Sequence, residues 1–393
     1  MGRLLHDLNI VDQRTVNKYR KEAERLGKGS FALAWVMDQG TEERERGVTI
    51  DIANFNFETS KTIFTILDAP GHRDFIPNMI AGASQADFAL LVIDASAGNF
   101  ESGLRGQTRE HILLVRSMGV QRIVVAVNKL DMVEWSKERF EEIHQQMLAF
   151  LTTAGFHEKH LAFVPCSGLS GDNIVTKSAN DAASWYKGSP LITLLEDSDP
   201  VARAIEKPFR LTIDDVFRGG VQNPLSVSGR LDAGTVQIGE IAVALPASQD
   251  ATIKAIDVDG EPREWAVAGQ IVTLHLNDID AKYLKAGDIL SSTSDVVPVQ
   301  RSFTVKVLAF EHIMPMPCEI HRGRLHAPGR VAKLDAAVEK NSGTVMKGKR
   351  PKVVKPGLLA KVVIEVDEAI PIEKGSRVIL RADGETIGAG LVE

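Results

Sequence analysis

The chain has 393 residues, of which 44% are hydrophobic and 25% charged, with 46 Lys and Arg set against 52 Asp and Glu for a formal net charge of −6. That is ordinary globular composition and long enough for two or three domains; it excludes a polycationic chain but leaves room for a local basic face. The 2 cysteines, Cys166 and Cys318, exclude a disulfide framework, and without a membrane-length apolar run or a secretory leader pattern the chain reads as cytoplasmic.

Up to about residue 200, strand-like and helix-like segments alternate. TIFTILD (62–68), DFALLVIDA (87–95), QRIVVAVNK (121–129) and LAFVPCSG (161–168) are short, β-branched and nearly continuously apolar. Such runs suit parallel strands covered on both faces. Amphipathic stretches separate them: RDFIPNMIAGASQ, QTREHILLVRSMG and SKERFEEIHQQMLAFLTTAG, the last two stopping at Gly. The alternation predicts a doubly wound α/β domain over 1–203. Beyond it, runs such as SVSGRLDAGTVQIGE and KAIDVDGEPREW are broken by Gly, Pro and Asp-Gly, and helical periodicity disappears. These predict all-β barrel domains over 207–297 and 300–393, with a seam at SSTSDVVPVQ (291–300).

The residues with chemical potential fall in the first half, mostly where strands end. RGVTI (46–50) precedes a strand. Asp68-Ala-Pro-Gly71-His72, Asn128-Lys129-Leu130-Asp131 and Cys166-Ser167-Gly168-Leu169 each follow one. Open α/β sheets bind ligands outside the carboxyl ends of their strands. A fixed carboxylate such as Asp131 accepts the N1–H and exocyclic amino donors that guanine presents side by side. Adenine offers neither donor at that corner and would leave the acid unpaired. The Lys129 stem can lie along the base. Asp68 would reach Mg2+ through water, with the Thr49 hydroxyl on the same ion. Gly71 would offer its N–H to a γ-phosphate, and His72 would orient an attacking water. Taken singly, each has a plainer reading, a polar strand end or a Pro-Gly turn with a surface histidine; their combination favours the nucleotide.

Two features lie in the β half. Residues 340–355, KNSGTVMKGKRPKVVK, hold six Lys or Arg and no acid. They read either as a contact for RNA phosphates or an acidic partner surface, or as a solvated hairpin loop. The run EHIMPMPCEIHRGRLHAPG (311–329) contains His312, Cys318, His321 and His326 without any paired metal-ligand spacing, so barrel residues and solvent-facing imidazoles are expected there.

AWVMDQGTEERERGVTIDI, DAPGHRDFIPNMIAGASQAD, GQTREH, VNKLDMVEW and PCSGLSGDNI together resemble translational GTPases of the elongation factor 1-alpha and release factor 3 class. The resemblance covers nearly the whole chain. VDQRTVNKYRKEAERLGKGSFALAWVMDQGTEER and GNFESGLRGQTREHILLVRSMGV are most similar to the ribosome-rescue branch that partners Pelota. It implies GTP/GDP and Mg2+ as cofactors, with Thr49 and Asp68 on the metal and His72 catalytic. It places Gly71, Asn128, Lys129, Asp131, Ser167, Gly168 and Leu169 on the nucleotide. It also implies a monomer that acts with a Pelota-type protein and the ribosome in mRNA surveillance, away from membranes and DNA. Neighbouring possibilities are a tRNA-delivering elongation factor and a release factor 3 type GTPase. CEIHRGRLHAPGRVAKL lacks the compact Cys-His-Thr-Ala-His run of the elongation factor, which argues against the first.

The family also has Gly-x-x-x-x-Gly-Lys-Ser/Thr between its first strand and first helix, whereas MGRLLHDLN resembles that helix already under way. Gly343-TVMK-Gly348-Lys349 has the glycine spacing, but Arg350 follows where Ser or Thr is required, and the context is all-β. The expectation is a chain truncated at its N-terminus, without the first strand and phosphate loop. Losing three charge-assisted bonds of about 1.5–3 kcal/mol each would weaken GTP by roughly three to six decades. A non-hydrolysing scaffold that binds ribosome and partner is the alternative from another class.

Overall fold

The computed structural model describes residues 1–25, 27, 32–37, 40–46, 49–198, 201–218, 220, 223, 225–338 and 351–393. The basic segment over 340–350, with the Gly343 decoy, and Gly47 and Val48 of RGVTI lie outside the described residues. The chain divides into two compact units, Met1–Pro200 and Val201–Glu393.

The first unit opens with helices α1 (Gly2–Asp7), α2 (Gln13–Arg25) and α3 (Thr41–Arg46). Strands and helices then alternate: β1 (Ala53–Glu58), β2 (Ile63–Asp68), α4 (Ile76–Gln85), β3 (Ala89–Asp94), α5 (Asn99–Arg105) and α6 (Gln107–Ser117). β4 (Ile123–Asn128), α7 (Lys137–Thr153), β5 (Leu161–Pro165) and α8 (Leu191–Glu196) complete it. The central strand β4 is buried along Ile123–Val127, as a two-sided parallel strand must be. Helix α7 begins where Ser136 accepts the Arg139 N–H at 3.1 Å. It turns Ile143, Met147 and Leu151, one per turn, onto the core and stops before Gly155, whose φ is +98°.

One expectation needs correcting. β3, β4 and β5 form a parallel ladder, but β2 pairs antiparallel with β1, and among the described residues no ladder joins the two sheets. A common apolar core nevertheless bridges them, with Phe57, Phe64 and Ile66 packed in one cluster with Leu90, Val124 and Val164. Continuous apolar runs establish that strands are buried, not which neighbour each pairs with.

The second unit holds two six-stranded antiparallel barrels. The first uses β6 (Arg210–Phe217), β7 (Ser226–Ala233), β9 (Ile241–Leu245), β10 (Gln249–Val258), β13 (Ile271–Asn277) and β14 (Ile289–Ser292), closed by pairing of β9 with both β10 and β14. Short strands β8 (Thr235–Gln237), β11 (Glu261–Arg263) and β12 (Trp265–Val267) decorate it. The second barrel runs β15 (Val299–Ala309), β18 (Leu359–Pro371), β17 (Leu325–Val338), β16 (Met316–Arg322), β19 (Arg377–Ala382) and β20 (Glu385–Val392), which returns to β15. An α/β domain followed by two barrels is the architecture the sequence predicts. Arg322 links the barrels by donating to the Gly287 carbonyl at 2.9 Å. A Cβ on Gly287 would come within 2.5 Å of the Leu325 Cα, so glycine is required at that contact. Among the described residues no helix is long and apolar enough to cross a membrane.

Candidate functional site

The loops after β4 and β5 are tied to each other. The Gly168 N–H donates to Asn128 Oδ1 at 2.7 Å, and the Leu130 N–H donates to the Cys166 carbonyl at 3.2 Å. Asn128 is thus spent as a brace that presents the second loop. Lys129 takes a left-handed backbone, φ +65° and ψ +32°, which turns the strand end sharply and lets the next residues wind into a 3-10 turn over Leu130–Val133. That turn holds Asp131 half-buried, and its Oδ1 is a solvent-shielded acceptor with no hydrogen-bond partner among the described residues. A shielded carboxylate oxygen without a donor is costly, about 1–3 kcal/mol or more for a charged group, unless a ligand supplies one.

The second loop closes on itself. Ser167 is fully buried, its N–H donates to the Asp172 carbonyl at 3.2 Å, and its Oγ accepts the Ser170 N–H at 3.3 Å. Ser167 therefore shapes the loop from within. Leu169 stands out at the surface, with its carbonyl held by Arg3 at 3.0 Å. Cys166 is a packing residue, since burial pushes its thiol up to about 12, far from a reactive thiolate.

Asp94, which the sequence reading missed, is the other fixed point of this edge. It ends β3 directly beside Asn128 in the parallel ladder, and Lys129 Nζ meets its Oδ2 at 2.8 Å. Partial burial alone would raise this carboxyl, but hydrogen bonds from Lys129 and from the Ser96 N–H outweigh it and bring the pKa down to about 2. Its signal was available: DFALLVIDA ends in an acid at the same edge as Asn-Lys-Leu-Asp.

The buried Met1 amino group lies within electrostatic reach of Asp68 and Cys166; burial lowers its pKa and Asp68 pulls the other way. Thr49 is half-buried beside Ile50, whose N–H donates to Glu43 at 2.9 Å and whose carbonyl accepts from Asn78 at 2.8 Å. Gly71 has His111 as its nearest side chain, 4.0 Å from where a Cβ would stand. His111, the histidine of GQTREH, is half-buried with an unpartnered Nε2 among the described residues, and burial lowers its pKa. His72 is accessible at the surface, its Nδ1 accepting the Asp74 N–H at 3.3 Å and its ring 6.0 Å from that of Phe75. The described contacts therefore join Asn128 to Gly168 and Lys129 to Asp94 directly, with Asp94 and Asn128 neighbours in the ladder.

Residues 1–211 match the family described as the Elongation factor Tu GTP binding domain, and residues 302–393 match the GTP-eEF1A C-terminal domain-like family. The chain belongs to the elongation factor Tu/1-alpha family of translational GTPases. Among members of this family, Protein HBS1 of Drosophila melanogaster is 40% identical along all of this chain, which spans 60% of the fly protein's length. The Elongation factor 1 alpha-like protein of Schizosaccharomyces pombe is 41% identical, again along the whole chain and over 67% of its own length. The Saccharomyces cerevisiae Ski7 GTPase-like domain, solved bound to GTP, superposes with a TM-score of 0.81 over 100% of this chain and 93% of that one. At 18% identity, that superposition speaks for the shared fold alone.

Proposed function

We propose that this chain carries the guanine-recognition and switch elements of a GTP-hydrolysing factor that delivers a release-factor-like partner of the Pelota type to stalled ribosomes. One atom carries the nucleotide part, the shielded Asp131 Oδ1, unpartnered among the described residues, on a loop braced to its neighbour. Two parallel donors satisfy a carboxylate held in this way, and guanine presents them where adenine does not. The Lys129 stem, oriented by Asp94, lies along the base, and the Ser167–Leu169 loop lines its other edge. Thr49 and Asp68 are hard oxygen donors of the kind that hold Mg2+. Bound GTP and Mg2+ supply the transferable γ-phosphate and the neutralisation of its charge. The Gly71 N–H meets that phosphate, and His72, accessible to solvent, orients the attacking water. Whole-chain identity to Protein HBS1 supports the rescue assignment, as does CEIHRGRLHAPG standing where an elongation factor carries its Cys-His-Thr-Ala-His run. Lys352 and Lys355, the described end of the basic segment, are exposed as an RNA contact requires.

The decisive measurement is a ratio. Asp131→Asn exchanges an acceptor for a donor and should move the preference from GDP to XDP by about a hundredfold or more in direct competition. The ratio does not depend on how tightly either nucleotide is held. An unchanged ratio would remove guanine recognition from this loop. GTP-dependent capture of the chain by a Pelota-type protein, and not by aminoacyl-tRNA, tests the delivery step.

A further inference from the structure

The spacing of EIHRGRLH gives no metal pattern along the chain, yet the β16–β17 hairpin folds three ligand-type side chains together. Glu319 and His321 lie two residues apart on β16, and His326 stands directly opposite His321 in the register. Glu319 Oε2 is 3.6 Å from His321 Nε2 and 3.5 Å from His326 Nε2. One donor atom from each residue lies within 4.8 Å of the other two. Donors placed tetrahedrally around zinc, about 2.0–2.2 Å from it, stand roughly 3.3–3.6 Å apart. The cluster is thus already near the size of a three-ligand zinc site.

A second observation points into it. His321 is 2% exposed, and its Nε2 has no hydrogen-bond partner among the described residues. The 3.6 Å approach of Glu319 is too long to satisfy it. A buried imidazole nitrogen with no hydrogen-bond partner among the described residues, close to a carboxylate and a second imidazole, has an arrangement that a cation completes. The geometry points to a site for a divalent transition ion of the zinc class, bound by Glu319, His321 and His326 and leaving an open position to water.

The surroundings fit that chemistry. Burial, with the charges of His326 and Arg381 in support, takes His321 down to about 3, so it is a neutral ligand at ordinary pH. The Arg381 guanidinium is engaged elsewhere, donating to Thr386 Oγ1 at 2.9 Å and to the Gly384 carbonyl, although its charge moderates the affinity. The two imidazole rings stack at 4.7 Å and 11°, so their in-plane lone pairs run side by side. His326 is about half exposed and can turn to converge on the ion. Two imidazoles and one carboxylate select zinc-like ions over Mg2+ and Ca2+, which prefer oxygen alone. Cys318 cannot contribute because it packs inside the barrel core.

Metal titration of the untagged chain tests the site, with Mg2+ present throughout to occupy oxygen-only sites. One equivalent of Co2+ should bind with the visible absorption of low-symmetry tetrahedral coordination, and Zn2+ should displace it. His326→Ala and Glu319→Gln both alter exposed side chains, so the barrel should persist by circular dichroism. Each should weaken Co2+ by at least about tenfold, the loss typical even of an outer-sphere partner. Absence of one-equivalent Co2+ binding, or binding that both variants leave unchanged, would overturn the assignment.

Discussion

Left-handed backbone appears at non-glycine residues in both units, but for different reasons. In the barrels it falls at Ser248 and Asp278 and, each directly before a glycine of positive φ, at Asp259 and Asp383. Asp-Gly is the pair that two-residue hairpin turns favour, because both positions tolerate this region. In the first unit it falls at Asn9 and Asn173, whose short amides tolerate it, and at Lys129, Glu134 and Trp135, with φ of 65°, 53° and 56° for the last three. A bulky residue such as Trp135 takes that conformation at a cost of roughly 1–2 kcal/mol. It is held there by its N–H on the Leu130 carbonyl at 2.8 Å and by Trp185 donating to its own carbonyl at 2.8 Å. The barrels place it at short polar residues, two of them before glycine, where it is cheap. The first unit also holds three longer or bulky residues in it within seven positions around Asp131, where the loop must aim a carboxylate.

The sharpest way to separate the two regimes is to damage the barrel core. Leu380 is fully buried among the side chains of the second barrel. Leu380→Ala should cost about 2–5 kcal/mol in urea unfolding, the range for a large-to-small change in a packed core. The GDP to XDP preference of the chain should not move. A shift in that preference would show that the loop around Asp131 depends on the barrels, and the distinction drawn from backbone would fail.

Asp288 gives the next largest effect. Burial raises its carboxyl to about 6 even though the Lys285 N–H and the charges of Lys285 and Arg322 lower it. The folded value then exceeds the unfolded one of about 3.9, so the folded state favours the neutral acid. Its stabilising contribution is complete below about pH 4 and is lost as pH rises through about 6, amounting to ~3 kcal/mol. Asp288→Asn should remove this dependence. Urea midpoints of the variant should hold steady relative to the parent's decline between about pH 4 and 7. Parallel curves would place the pH sensitivity elsewhere.

How much of this was legible depended on whether a feature is local. Asp-Gly turns, the apolar runs of β3 to β5 and the glycine stop after α7 are written within a few neighbouring residues, and they located the α/β and barrel regions. The loops ending β4 and β5 could be placed at strand ends because each directly follows an apolar run. Strand partners were not readable: among the described residues the ladder β2 makes is antiparallel, to β1. Asp94 was missed because its partner Lys129 is 35 positions away and meets it only through ladder register. Likewise, Glu319, His321 and His326 form a cluster only once the hairpin opposes His321 to His326.

The smallest expected effect tests the nucleotide edge itself. The Lys129–Asp94 pair is 2.8 Å long, but the Lys129 side chain is 53% exposed, so water screens the attraction. A depressed carboxyl contributes stability above its unfolded pKa of about 3.9 and loses it as pH falls through about 2; with screening, the pair is worth about 0.2–1 kcal/mol at neutral pH. Lys129→Met should therefore lower stability by less than about 1 kcal/mol, and by less still at high salt. Its clearer mark should be on Asp94, whose carboxyl should titrate closer to the ordinary range when followed by carbon-detected NMR. If Asp94 stays near 2 in the variant, the Ser96 N–H is what holds it ionised. Lys129 would then be free to swing, and the strained turn would fix Asp131 alone, without fixing the side chain assigned to lie along the base.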